Sequence, residues 1–257
     1  MGNLIRMDLY RIRKTKTFIA CLVIAFLFAL ATVPLEKLLT DLSLTLAEEG
    51  TEPIAFETKI SLAGIIGAPA SSITLLTALL SIVFFFYADM EAGYIKNIAG
   101  QMPKKGFSIL SRYIASVPHN LTFMLVDILG NLIGNLFLRK ITMDGSLVEA
   151  VGIFLLRLLL LQGITAILLL VTSAFRSKSF GMILAVLLGL PLMWLIYSAI
   201  NSGLEKIIKN ANIIPYMPDQ VIRESTPDAV RGFLVAAVTI AIFLPVSIRV
   251  FDQKDVK

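Results

Sequence analysis

Six long apolar runs restrict this sequence of 257 residues to one structural class. Each run is close to the roughly 20 residues that an α-helix needs to cross about 30 Å of hydrocarbon. Because lipid offers no hydrogen bonds to an exposed backbone, runs of this length are expected to be helices. The predicted spans are residues 17–33, 66–87, 113–138, 150–173, 180–200 and 232–248.

The composition also indicates a membrane protein. Hydrophobic residues make up 57% of the chain and charged residues 16%, and the mean hydropathy is +0.84. Soluble domains contain about 45–50% hydrophobic and about 25% charged residues. A single cysteine and a single histidine argue against a disulfide framework, a cysteine zinc cluster or a multi-histidine metal site. The predicted fold class is all-α, a polytopic membrane protein forming one transmembrane domain over residues 1–257.

The distribution of basic residues predicts that both termini lie in the cytoplasm. Lysine and arginine are enriched in cytoplasmic segments next to membrane spans. Here they concentrate in the N-terminal segment, the loops after spans two and four, and the tail: Arg6, Arg11, Arg13, Lys14, Lys16, Lys96, Lys104, Lys105, Arg112, Arg176, Lys178, Arg249, Lys254 and Lys257. Most acidic residues lie in the opposite loops. Membrane topology therefore accounts for the net charge of +5, and no nucleic-acid partner is predicted.

Two segments outside the spans are predicted to be helical. In residues 1–16, Ile5, Leu9 and Ile12 recur at helical spacing among basic residues, which is typical of an amphipathic helix in the cytoplasmic interface. A plain positively charged flank is the alternative. Residues 201–229 are predicted to form a partly helical extracellular segment. A threonine at 226 followed by a proline predicts that the last helix starts there.

The third span carries a stripe of polar residues along one helix face. Its members follow one another at spacings of 4, 7, 4 and 4: Ser116, Asn120, Asp127, Asn131 and Asn135. A charge near the middle of a bilayer costs about 2.5–3.5 kcal/mol, so the stripe should face protein or water. One interpretation is a structural seam in which Asp127 pairs with Arg157 of span four. The other is that these residues line a translocation path or bias two packing states.

Smaller features predict how the helices pack. Gly130 and Gly134, in G-x-x-x-G spacing, permit a close helix approach. Span two has a weaker stripe of small and hydroxyl side chains, more typical of a packing face than of a binding site: Ala70, Thr74, Thr77 and Ser81. Kinks are expected at Pro118, Pro191 and Pro245.

Sequence motifs of enzymes are missing. The sequence has no G-x-x-x-x-G-K-[ST] phosphate-binding loop, so ATP hydrolysis by that route is excluded. It also lacks His-Glu clusters for metal-assisted hydrolysis and a buried Ser–His pair for an intramembrane protease. No catalytic residue and no metal site are predicted, and an enzyme is the least supported class of function.

The segment after span two carries a family resemblance. Residues 88–98 have the sequence ADMEAGYIKNI, and a proline–lysine–lysine–glycine segment follows at 103–106. This pattern resembles the acidic–glycine–basic loop in membrane subunits of bacterial ATP-binding-cassette exporters, a class that includes drug, polysaccharide and bacteriocin-immunity permeases. Glu91, Gly93 and Lys96 match the first half of the pattern. The second half departs from it, because two lysines follow Pro103 where the family has an arginine.

The resemblance implies a permease subunit in the bacterial plasma membrane. Residues 88–112 would form a cytoplasmic coupling loop that contacts a separate ATPase through Glu91, Gly93, Tyr94, Lys96 and Pro103. The ATPase would hold ATP and magnesium, and the second membrane subunit would be another copy of this chain or a paralogous permease. Amphipathic peptides or hydrophobic drugs are the expected cargo. The alternatives are an ion-coupled secondary transporter and a non-transporting membrane immunity or scaffold subunit.

Overall fold

The computed structural model describes residues 2–46, 56–91, 106–175, 177–208 and 212–253, without the side chains of residues 46 and 89–91. Within these residues the chain is almost entirely helical. The helices are α1 (Gly2–Lys14), α2 (Lys16–Leu46), α3 (Leu62–Gly67), α4 (Ser72–Glu91), α5 (Gly106–Leu138), α6 (Leu147–Phe175), α7 (Lys178–Gly189), α8 (Met193–Glu205), α9 (Pro218–Val221) and α10 (Ala229–Gln253). A 3₁₀ turn covers Ile214–Tyr216, and the two strands are β1 (Lys59–Ser61) and β2 (Lys140–Thr142).

The long helices have the dimensions of membrane spans. In the described part of the chain, α2, α5, α6 and α10 are each long and apolar enough to cross a bilayer. Helices α7 and α8 meet the same criteria only as a pair, and they are bent by 79° with respect to each other. The apolar part of α4, Ser72–Ala88, is shorter. These helices make the chain an all-α, multi-pass membrane protein, while six separate spans and the side of each terminus stay predictions.

Helix α2 extends beyond its predicted end. The apolar run ends at residue 33, yet the helix continues through Pro34 to Leu46. A proline inside a helix removes one backbone hydrogen bond, but the turns that follow it still form their own bonds. Residues 34–46, which follow the predicted first span, are therefore helical.

The predicted second span, residues 66–87, has a break near its start, between α3 and α4. Helix α3 ends at Gly67, and Ala68 is extended with φ −66° and ψ 144°. This conformation is expected immediately before a proline, here Pro69. Helix α4 then begins after Ser71, whose Oγ accepts a hydrogen bond from Thr74 N (3.1 Å). The proline ends one helix, and the serine N-cap starts the next.

The fifth predicted span is also broken rather than kinked. Leu190 is extended, with φ −92° and ψ 154°, because Pro191 follows it. The chain then turns by 79° into α8. By contrast, Pro118 and Pro245 lie inside the continuous helices α5 and α10.

The last helix begins slightly later than predicted. Asp228, not Thr226, caps α10, because its Oδ1 accepts from Val230 N (2.9 Å) and Arg231 N (3.4 Å). A carboxylate in this position satisfies free backbone amides and complements the positive end of the helix dipole.

Helix α6 occupies the centre of the bundle. In its most apolar 18-residue window 61% of the residues are buried, compared with 22% in α2 and in α10. Helix α10 packs along α6, α4 packs along α7, and α2 packs along α5. The α2–α5 contact is close at the predicted G-x-x-x-G segment. A Cβ built on Gly130 would lie 2.6 Å from the Cβ of Ala29, so only glycine fits there.

A short parallel ribbon joins two segments that are distant in the sequence. Lys59 pairs with Lys140 and Ser61 pairs with Thr142. The ribbon connects the residues before α3 to those after α5. It therefore holds the start of α3 beside the end of α5, near the polar stripe.

Candidate functional site

The polar stripe of α5 lies inside the helix bundle. Asn120, Asp127 and Asn135 are buried, and Asn131 is partly buried. This face of α5 is therefore packed against other parts of the protein. The stripe divides into a set of bonds around Asp127 and a second set around Asn120.

Asp127 binds the first turn of α4. Thr74 Oγ1 donates to Asp127 Oδ1 (2.6 Å), and Asn131 Nδ2 donates to Asp127 Oδ2 (3.3 Å). Thr74 is in the turn capped by Ser71. The positive end of the α4 dipole and these two donors together stabilise a carboxylate at this position.

Arg157 binds the last turn of α3 and the segment before α10. Its Nη1 donates to the carbonyl oxygen of Gly67, and its Nη2 donates to the carbonyl oxygens of Glu224 (2.7 Å) and Ser225 (3.1 Å). The side chain is buried. A cation at this position complements the negative C-terminal end of α3.

The suggested Asp127–Arg157 ion pair is absent from the structure. Asp127 bonds to Thr74 and Asn131, whereas Arg157 bonds to backbone carbonyls. Spans three and four are adjacent in the sequence, but their charges contact different helix ends at the α3–α4 break. Asp127 binds the start of α4, and Arg157 binds the end of α3. The two charges are therefore satisfied by dipoles of opposite sign rather than by each other.

Arg223 makes a third charged contact, with the break between α7 and α8. Its Nη2 donates to the carbonyl oxygens of Leu188 (2.9 Å) and Gly189 (2.6 Å), at the end of α7. Its Nη1 donates to Ser72 Oγ (2.7 Å), at the start of α4. One guanidinium thus connects the ends of two broken helices. We refer to the residues 67–74 together with Asp127, Arg157 and Arg223 as the break site.

Asp219 supports Arg223 from α9. It is fully buried, and its carboxylate accepts from Tyr197 Oη (2.9 Å) and Gln220 Nε2 (2.7 Å). Arg223 Nε donates to the Asp219 carbonyl oxygen (3.1 Å). Burial raises the pKa of the Asp219 carboxyl, although the hydrogen bonds from Gln220 and Tyr197 oppose the change. Burial also lowers the pKa of Arg223, and the charge of Asp219 opposes that change.

A second polar network surrounds Asn120, closer to the start of α5. Asn120 Nδ2 donates to Thr165 Oγ1 of α6 (2.9 Å). The ring of His119 lies 3.1 Å from Asn120 Oδ1 through Nδ1 and 3.1 Å from Ser81 Oγ through Nε2. The network fastens α5 to α4 and α6, which is what a structural seam requires.

The amides toward the end of α5 bind mainly within α5 itself. Asn131 Nδ2 donates to the Asp127 carbonyl oxygen (3.0 Å), and Asn135 Nδ2 donates to the Asn131 carbonyl oxygen (2.8 Å). Arg139 Nη1 donates to Asn135 Oδ1 (3.3 Å), and its Nη2 binds Glu36 Oε1 of α2 (2.6 Å). In this conformation Asn120 and Asp127 bond to neighbouring helices, whereas the two later amides do not. A role in a translocation path stays a prediction.

The predicted coupling residues fall at the edge of the described chain. Gly93, Tyr94, Lys96 and Pro103 lie outside the described residues, and Glu91 is the last residue of α4 with no described side chain. Their role in coupling therefore stays a prediction. Within the described ranges, no group of three or more histidine, cysteine or acidic side chains has the arrangement of a metal site.

The helices next to the predicted coupling segment are bonded to one another. Gly106 N, at the start of α5, donates to Asp252 Oδ1 near the end of α10 (2.6 Å). Ser111 Oγ donates to the buried Asp8 of α1 (2.6 Å). Helix α1 therefore lies against α5 through a polar contact as well as its apolar residue Ile12. The start of α5 is bonded to both terminal helices.

Some of these residues can be recognised from the sequence pattern, and others cannot. The hydroxyl stripe of span two supplied Thr74 and Ser81, which face Asp127 and His119. Arg223 and Asp219 were missed, because an arginine and an aspartate in an outer loop are ordinary surface residues by sequence. The acceptors of Arg223 include backbone carbonyls, which leave no side-chain pattern to recognise.

Comparison with known proteins gives no family assignment: no family model matches the chain, and no curated protein sequence matches it.

Proposed function

We propose that the chain is the membrane-spanning permease subunit of an ATP-binding-cassette exporter and that it works with a separate cytoplasmic ATPase. The observation that carries the proposal is the attachment of the predicted coupling segment. Residues 92–105 connect α4 to α5, and the first turns of α5 are bonded to α1 and to α10. A protein that pulls on this segment would act on all four of these helices.

A pull on these helices would be transmitted to the break site. Arg223 joins the end of α7 to the start of α4, and Asp127 joins α5 to the start of α4. A displacement of α4 or α5 would strain these bonds, so the packing of the broken helices is coupled to the cytoplasmic ends. Transport requires two such packing states that nucleotide and cargo favour differently.

The charges of the bundle support an apolar or amphipathic cargo. Asp127 accepts from Thr74 and Asn131, and Arg157 donates to backbone carbonyls, so both charged groups are engaged within the protein. Helices α2 and α10 expose apolar side chains such as Phe28 and Ile242, which suit contact with lipid or with a second subunit. The assembly would contain two membrane subunits, with ATP and magnesium on the ATPase, in a bacterial plasma membrane.

Ion-coupled transport through Asp127 is less well supported. In many ion-coupled transporters, broken helix ends bind the transported ion or substrate. At this break site the ends of α3 and α7 are occupied by Arg157 and Arg223, and the start of α4 is occupied by Asp127. The chain's own charges thus take the positions that a ligand would need.

The proposal is tested by co-expressing the chain with the ATP-binding-cassette ATPases of its genome. One ATPase is expected to co-purify with the wild-type chain at equal stoichiometry. Gly93→Leu should abolish this association, because the bulky side chain disrupts the loop. Gly203→Leu in α8 is the matched control, since a Cβ at Gly203 meets nothing within 4 Å. Transport driven by a proton or sodium gradient without any bound ATPase would contradict the proposal.

A further inference from the structure

A groove runs along the first half of α10, apart from the break site. It has a volume of about 550 Å³ and extends from Asp228, before the helix begins, to Thr239. At 1.5 Å per residue this distance is about 16 Å. One leaflet of a bilayer has about the same hydrocarbon depth, since the whole core is about 30 Å thick.

The greater part of the groove is apolar. Val235 and Thr239 form its buried floor, while Leu234 and Val238 line it and are 55% and 54% exposed. The hydroxyl of Thr239 donates to the Val235 carbonyl oxygen (2.7 Å), so the floor offers no free donor. This lining suits a hydrocarbon chain lying parallel to α10.

The end of the groove near residue 228 carries charges of both signs. Arg231 lines this end of the groove; its Nη2 binds Glu224 Oε2, and its side chain is 29% exposed. Asp228 lies beside it, with Oδ1 accepting from the amides of Val230 and Arg231. The exposed side chain of Tyr216 borders the same end. A partly exposed guanidinium next to a carboxylate complements a headgroup that contains both a phosphate and an ammonium group.

From this arrangement we propose that the groove binds one zwitterionic phospholipid of the phosphoethanolamine type. An acyl chain lies along Leu234 and Val238, the phosphate accepts from Arg231, and the ammonium faces Asp228. The predicted topology places this end of α10 outside the cell, so the lipid belongs to the outer leaflet. An anionic headgroup fits less well, because Glu224 already pairs with Arg231 and Asp228 repels an uncompensated negative charge. The site does not depend on the proposed exporter function.

The test measures lipid binding to the purified chain. The delipidated protein in detergent is titrated with phosphatidylethanolamine, and the bound lipid is counted by native mass spectrometry. One saturable lipid per chain is expected, with about tenfold weaker binding of a diacylglycerol that has the same acyl chains but no headgroup. Leu234→Trp and Val238→Trp fill the groove from exposed positions and should each weaken binding by about tenfold or more.

Matched tryptophan variants provide the control. Phe233 and Ile242 are exposed on α10 but do not line the groove. Phe233→Trp and Ile242→Trp should leave the affinity within about twofold of wild type. Equal loss in control and groove variants, equal binding of the diacylglycerol, or no saturable lipid would overturn the proposal. A change from dimer to monomer in the groove variants, with lipid binding unaltered, would instead show that a second copy covers the groove and would also overturn it.

Discussion

Asp127 and Arg157 bind the two sides of a single helix break. Asp127 accepts a 2.6 Å hydrogen bond from Thr74 in the first turn of α4, and Arg157 donates to Gly67 in the last turn of α3. The anion lies at a helix N-terminus and the cation at a helix C-terminus, which is the favourable arrangement at each end. Two charges inside the bundle are thus stabilised without direct contact between them.

This arrangement predicts nearly additive effects of mutating the two residues. Asp127→Asn should lower the free energy of unfolding by about 1–2 kcal/mol and Arg157→Gln by about 2–4 kcal/mol, because the second leaves three carbonyls without their donor. In the double mutant the losses should add within about 0.5 kcal/mol. The measurement is thermal unfolding in detergent. A coupling energy of several kcal/mol would show that the charges pair directly.

Arg223 is predicted to stabilise the break between α7 and α8. Arg223→Gln removes the donors to Leu188 and Gly189 and the link to Ser72. The expected loss is about 2–4 kcal/mol in the free energy of unfolding. Lys206→Gln, an exposed change in the same outer segment, is the control and should alter stability by less than about 0.5 kcal/mol. Indistinguishable unfolding of the two variants would contradict this role.

The sequence predicts the parts of the fold that depend on local apolar length. Helices α2, α5, α6 and α10 cover four of the predicted spans, because a run of about 20 apolar residues has few alternatives in lipid. The breaks in the other two spans were harder to foresee. Pro191 was expected to cause a kink, but a proline does not specify the bend angle; that angle depends on partners such as Arg223, which lies more than 30 residues away in sequence.

The candidate site was only partly predictable for a related reason. Helical spacing places Asn120 and Asp127 on one face of α5 without any knowledge of the fold. It does not reveal what that face contacts. The partner of Asp127 depends on where α4 begins, and the partners of Arg157 are backbone carbonyls of two separate segments. Only the three-dimensional structure brings these groups together.

The α2–α5 contact is predicted to tolerate no side chain at Gly130. In Gly130→Ala the new Cβ would lie 2.6 Å from the Ala29 Cβ and 3.0 Å from the Phe26 carbonyl oxygen, so the helices must separate. A loss of about 1–3 kcal/mol is expected in thermal unfolding. Gly152→Ala in α6 is the matched control, because its Cβ meets nothing within 4 Å and alanine favours helix. If both variants unfold alike, the close contact is not formed.

The buried carboxyl of Asp219 predicts a pH dependence of stability. Its pKa is raised by burial above the ordinary value of 3.8, so the folded state binds its proton more tightly than the unfolded state does. The resulting stabilisation is fully present below pH 3.8 and is lost as the pH rises through the raised pKa. Comparison of unfolding temperatures across this range should show a steeper decline with pH in wild type than in Asp219→Asn. Parallel pH profiles would contradict the assignment.

Cargo-stimulated ATP hydrolysis is the most direct test of the proposed permease function. The chain and its co-purifying ATPase are reconstituted in proteoliposomes, and hydrolysis is measured with and without an amphipathic peptide. Wild type should show stimulation by the peptide, whereas Gly93→Leu should show none. An ATP hydrolysis rate that changes neither with the peptide nor with Gly93→Leu would contradict the permease assignment. Peptide transport by the chain with no ATPase present would contradict it as well.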